Sequence, residues 1–196
     1  MVERIVDKIV NNLLENNAIS QEEISIYKYG YTLLCEVILN IIIAIIIGSL
    51  SGKLFSLTLF LIIYIPLRSF CGGWHADKIW KCTIYSNLIL VMMVLIDDRY
   101  SSNFKTIMEV LFFAVCLFMI FLLAPIDTKT KPISQKERIV YKKKIGIIMV
   151  IHICLLAIML FLGYKNITYI FVFAYIIQFV MLVLEILNKK LEKLNI

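Results

Sequence analysis

An all-α membrane protein is the fold class this sequence predicts, on three observations. Hydrophobic residues fill 61% of the 196 positions, with a mean hydropathy of +0.90, where soluble domains are roughly half apolar. Apolar runs recur near Tyr31 to Leu50, Leu54 to Leu67, Ile84 to Ile96, Ile107 to Ala124, Ile145 to Leu162 and Ile167 to Leu187, most of them near the length a helix needs to cross about 30 Å of hydrocarbon. The basic residues also gather on alternate connections between these runs, as membrane topology requires.

Residues 1–30 precede the first run and read as an amphipathic interfacial segment. Ile5, Val6, Ile9, Val10, Leu13 and Leu14 recur at helical spacing with charges opposite, a pattern that suits either a helix lying in the membrane interface or a cap packed on the bundle. Glu3, Arg4, Asp7 and Lys8 interrupt the apolar character that a signal peptide would show, so the mature chain is expected to start near Met1. Residues 31–196 form the expected domain of six transmembrane helices. The second and third runs are short, so either the membrane thins around them or the segment between them enters it as a re-entrant element.

Orientation follows from Lys and Arg, which resist translocation. Sixteen of the twenty fall on the side of the N-terminus, leaving Lys53, Arg99, Lys105 and Lys165 on the other. Both termini and the segment from His75 to Cys82 are therefore expected to face the cytoplasm of a multi-pass cell-membrane protein. The formal charge of +6 reflects this sidedness and an attraction to anionic lipid; nothing resembles a nucleic-acid-binding module. Five cysteines, an odd number without repeated spacing, predict free thiols rather than a disulfide framework.

The stretch from Arg68 to Cys82 carries the chemistry. It places His75 and two cysteines beside the paired Gly72 and Gly73, between two apolar runs. A thiol becomes a usable nucleophile when a base or a positive charge favours its thiolate, and His75 with Arg68, Lys78 and Lys81 supplies both kinds of group. Cys82 is the first choice of nucleophile, with Cys71 a competing thiol. A seven-residue offset on one helix would hold His75 and Cys82 about 10 Å apart along the axis, so the chain between them must bend. Gly72 and Gly73 permit unusual backbone conformations and close approach of a peptide, and their N–H groups are candidates for an oxyanion site. A packing role for these cysteines is the plainer reading. A metal site of Cys71, His75, Cys82 and Asp77 matches no common zinc spacing, and no metal, nucleotide or organic cofactor is expected.

This string resembles the accessory gene regulator protein B (AgrB) family. A second match lies downstream, where Ala124, Pro125, Asp127, Thr128, Lys131 and Pro132 are similar to that family's Ala-Pro-x-Asp-Thr-x-x-Lys-Pro segment. The resemblance covers essentially the whole chain. It implies a membrane cysteine endopeptidase that processes a short precursor peptide into a cyclic autoinducing peptide for quorum sensing in Gram-positive bacteria. It carries the histidine role onto His75 and the nucleophile role onto Cys82, and it matches Arg68, Gly72 and Gly73 to positions that shape the site.

Other residues keep two readings each. Glu36 lies inside a span, where an ionisable group is expensive unless it faces protein or water; with Asn40 one turn on, it either helps shape a site or makes an interhelical hydrogen bond. Asp77, Ser86 and Asn87 are further candidates for a group that orients His75. Lys129, Lys131 and the basic residues up to Lys144 either anchor their loop or guide an acidic precursor tail. His152 and Cys154 suit packing. The rival function is a small transporter or peptide exporter, in which Glu36, Asn40 and the glycine pair line a pathway and the thiols are incidental. A homodimer is compatible with the broad apolar surface.

Overall fold

The computed structural model describes residues 2–74, 79–96, 103–127 and 133–194. Every regular element among them is helical: α1 (Val2–Glu15), α2 (Ile24–Ser51), α3 (Leu54–Cys71), α4 (Ile79–Leu95), α5 (Asn103–Leu123), α6 (Gln135–Phe161) and α7 (Thr168–Leu194). Five of these, all but α1 and α4, are long and apolar enough to cross a membrane, and α4 is a shorter apolar helix. The six apolar runs thus each became a helix of a multi-pass membrane protein. One of the two short runs gains length because α3 continues past Leu67 to Cys71, about 27 Å at 1.5 Å per residue.

The amphipathic N-terminal segment forms α1 and turns its apolar face onto the bundle. Val6 and Val10 are buried against the start of α2, beside Tyr31 and Cys35, with Ile19 of the link closing this small core. An ion pair of 2.6 Å between Lys28 and Asp7 lies along the same seam.

Helices α3 and α7 are the centre of the bundle. Ile63, Leu67 and Cys71 of α3 and Phe171, Ala174, Tyr175 and Leu182 of α7 are completely buried. Helix α5 packs along α7, α6 against α3, and α2 and α4 against one another on the other flank of α3. Outward positions such as Ile42, Phe118 and Ile151 are exposed, the surface a lipid-solvated bundle presents. The α2–α3 hairpin closes where Gly48 meets Leu54: a Cβ at Gly48 would stand 2.9 Å from the Leu54 Cα. Gly52 ends α2 in the left-handed conformation with its N–H returned to Gly48 and Ser49, a common helix stop.

His152 sits in the core, where its Nδ1 lies 3.0 Å from the Tyr175 hydroxyl and its ring edges Phe171. Packing is its role, as its place in an apolar run implied. None of the five cysteines is disulfide-bonded.

Candidate active site

The chain leaves α3 through a turn that four elements hold in place. Gly72 (φ +73°, ψ −158°) and Gly73 (φ +126°) adopt backbone conformations that side-chain-bearing residues avoid. Space is lacking as well. A Cβ on Gly72 would collide with the Ile126 carbonyl, and one on Gly73 would meet the Arg68 guanidinium and stand 3.1 Å from the Met181 carbonyl.

Arg68 is what closes the turn. From the last turn of α3 its guanidinium folds forward to donate to the carbonyls of Gly72 (2.7 Å), Gly73 (3.3 Å) and Trp74, a use of the planar fork that lysine cannot reproduce. From α7, Gln178 donates to the Gly72 carbonyl at 2.9 Å, and the Met181 carbonyl accepts the Trp74 N–H at 2.9 Å. From the far motif, the Ile126 N–H donates to the Cys71 carbonyl at 3.0 Å. The two sequence motifs, some fifty residues apart, are therefore one structure, with the Ala124–Asp127 segment buttressing the glycine turn. That segment is held by α6: Lys142 caps the end of α5 by donating to the carbonyls of Phe121 and Ala124, and Arg138 donates to the Pro125 carbonyl at 3.2 Å and pairs with Asp127 at 2.6 Å.

Beside the turn, α2, α3 and α4 enclose a cavity of about 220 Å³. Its polar groups come from Glu36, Asn40, Tyr64, Arg68, Cys82 and Ser86; its remaining walls are mostly apolar, among them Phe60, Ile65, Trp74, Tyr85 and Ile89. Helix α4 starts at Ile79, so Cys82 lies on its first turn. Ser86, one turn on from Cys82, lines the cavity with it, opposite Glu36 of α2 and Arg68 of α3. The Trp74 ring packs edge-on against Tyr85 at 5.4 Å, which fixes the residue before His75 against the helix that carries Cys82.

Of the residues singled out from sequence, Glu36, Arg68 and Cys82 come together at this cavity, and Gly72 and Gly73 form the turn at its edge. His75, Lys129 and Lys131 lie outside the described residues, as do Asp77 and the centre of the expected re-entrant element. Cys71 is wholly buried at the end of α3 and does not line the cavity; it is a packing residue. The Gly72 N–H is unsuited to an oxyanion, because it closes α3 by donating to the Arg68 carbonyl at 3.2 Å. The expected bend between His75 and Cys82 falls on residues 75–78, outside the described residues, and α4 begins just after them at Ile79.

Sequence reasoning missed Gln178. It is completely buried in α7, its amide nitrogen holds the turn, and its carbonyl oxygen has no partner. The signal was there, an amide inside the apolar run from Ile176 to Val180, where a polar residue is costly.

A multi-pass helical membrane protein with a free thiol in a protein-lined cavity is the class that fold and site define. Residues 2–182 match the family described as Accessory gene regulator B, and the chain belongs to that family, whose setting is the accessory gene regulator system of quorum sensing. It is 24% identical over 91% of its length to protein FsrB of Enterococcus faecalis, covering 72% of that protein. It is 27% identical over 70% of its length to AgrB-like protein 2 of Clostridium perfringens, covering 67% of it, and 30% identical over 66% to an AgrB-like protein of Listeria welshimeri, covering 64%. No solved structure matches the chain.

Proposed function

We propose that this protein is a cysteine endopeptidase that cleaves a short precursor peptide at the cytoplasmic face of the membrane and leaves the retained part as a cyclic autoinducing peptide. The observation that carries the reading is the position of Cys82 in the cavity, with Trp74, the neighbour of His75 in the chain, lining the same space. The Cys82 thiolate attacks a backbone carbonyl of the precursor, with His75 as the group that takes the thiol proton and returns it to the leaving amine. The C–N bond breaks, the C-terminal fragment departs as an amine, and the N-terminal part stays on Cys82 as a thioester. A cysteine or serine side chain within that part then attacks the thioester carbonyl, closing a thiolactone or lactone ring and releasing the Cys82 thiol. Mostly apolar walls favour this exchange over hydrolysis by restricting water.

The test needs no substrate. The protein in nanodiscs is treated with limiting iodoacetamide across pH, and each cysteine is followed by peptide mass spectrometry in the wild type and in His75→Ala. The proposal expects Cys82 to outpace Cys35, Cys116 and Cys154 and to slow sharply without His75. Equal, slow labelling that ignores His75 would sink it and favour a transport role.

A further inference from the structure

On α2, Glu36, Val37, Asn40 and Ile41 all line the cavity, so one helical stripe presents two acceptor-bearing side chains a turn apart, flanked by two apolar ones. The Asn40 side-chain amide oxygen is buried and has no hydrogen-bond partner among the described residues. A buried acceptor left unmatched costs roughly 1–3 kcal/mol, and a turn of the Asn40 amide toward the cavity its residue lines would let an entering donor match it.

The spacing says which donor fits. Residues four apart on a helix are separated by about 6 Å along the axis. In an extended peptide the N–H groups on one side recur every second residue, roughly 6.7 Å apart, and the longer Glu36 side chain absorbs the difference. The neighbouring Val37 and Ile41 give apolar side chains of such a peptide a surface to rest on. We infer that Glu36 and Asn40 form a two-rung ladder of acceptors that binds the backbone of an extended peptide through two alternate N–H groups and lays its carbonyls toward Cys82. The ligand is an apolar peptide strand recognised by its main chain, an inference that rests on the peptidase reading and assigns its binding subsite. Helix α2 thus acts as a sheet edge does, with side chains replacing backbone carbonyls.

The probe is acetyl-tetraleucyl chloromethyl ketone, which alkylates a thiol with loss of chloride, together with four analogues each N-methylated at one amide. Labelling of Cys82 is timed in nanodiscs, with iodoacetamide as a reagent blind to the backbone. The ladder predicts two sensitive amides separated by one insensitive amide, each sensitive methylation slowing labelling about tenfold, the equivalent of one hydrogen bond. Asn40→Leu abolishes the sensitivity at one amide and Glu36→Leu at the other, whereas Glu36→Gln, which keeps an acceptor, retains both; the iodoacetamide rate of each variant is the baseline against which its peptide rates are read. An even or absent dependence on N-methylation, or a pattern unchanged in Asn40→Leu, overturns the ladder while Cys82 remains the iodoacetamide target. Loss of selective Cys82 labelling by both reagents in the wild type overturns the nucleophile itself, and the ladder with it.

Discussion

Replacing Gly72 by alanine tests the turn that directs the chain into the site. At φ +73° and ψ −158° the backbone lies in a region that is essentially glycine-only and costs of order 1–3 kcal/mol for other residues. The added methyl also meets the Ile126 carbonyl, which is backbone and cannot rotate away. Relief requires separating the Cys71–Ile126 hydrogen bond or swinging the Gly72 carbonyl off Gln178 and Arg68, each worth about 1 kcal/mol. Together these give a loss of about 2–5 kcal/mol, shared between folding stability and turn geometry. Gly30→Ala and Gly146→Ala are the controls: both glycines lie in helices with nothing near an added Cβ, so alanine should be neutral or stabilising by about 0.5–1 kcal/mol. Thermal unfolding in detergent and the rate of Cys82 alkylation are read side by side. Gly72→Ala should lower the unfolding midpoint by several degrees and slow alkylation at least tenfold, with both controls unchanged or more stable. A Gly72→Ala protein with wild-type stability and Cys82 reactivity would refute the account of the turn.

Four further outcomes follow from the same contacts. Arg68→Lys keeps the charge but cannot span three carbonyls, so Cys82 reactivity should fall at least tenfold, as alkylation kinetics will show, and a lysine variant with wild-type kinetics would reduce Arg68 to its charge. Gln178→Leu removes the donor to Gly72 and the unmatched oxygen together; stability measured by unfolding should change by less than about 1.5 kcal/mol while the rate of Cys82 alkylation drops. Tyr175→Phe strands the buried His152 nitrogen and should cost about 1–3 kcal/mol in unfolding without changing the relative labelling of Cys82. Asp127→Asn breaks an ion pair whose side chains are 48% and 38% exposed, and its cost in an unfolding assay should stay below about 1 kcal/mol.

Legibility from sequence divides along physical lines. Each apolar run became a helix because a membrane span must satisfy its own backbone, which leaves little other choice. Helix ends were less visible: α3 runs on to Cys71 because Leu67 and Cys71 are buried on its packed face, and an arginine at position 68 masks that continuation in a hydropathy reading. The paired glycines announced a special backbone, but what compresses it, the Ile126 and Met181 carbonyls, comes from segments distant in sequence. Gln178 was passed over because its aromatic neighbours dominate the α7 pattern, and its role depends on a contact across 106 positions. Cys82 was already preferred to Cys71 in sequence, and burial of Cys71 at the end of α3 separates them in space.

The arrangement explains why two short motifs suffice to mark so apolar a chain. Helix packing in lipid tolerates many exchanges among Ile, Leu, Val and Phe, since the surrounding solvent is as apolar as the side chains. Leaving a helix inside the bundle is different, because each freed N–H and carbonyl there must find a named partner. Between Cys71 and Trp74 those partners are the Arg68 guanidinium, the Gln178 amide, the Met181 carbonyl and the Ile126 N–H. Substituting Arg68 or Gln178 removes a hydrogen bond from this backbone, whereas substituting a lipid-facing leucine by isoleucine does not. These partners let an irregular backbone exist beside α4, and that backbone brings Trp74 to the wall of the cavity that Cys82 lines from the first turn of α4.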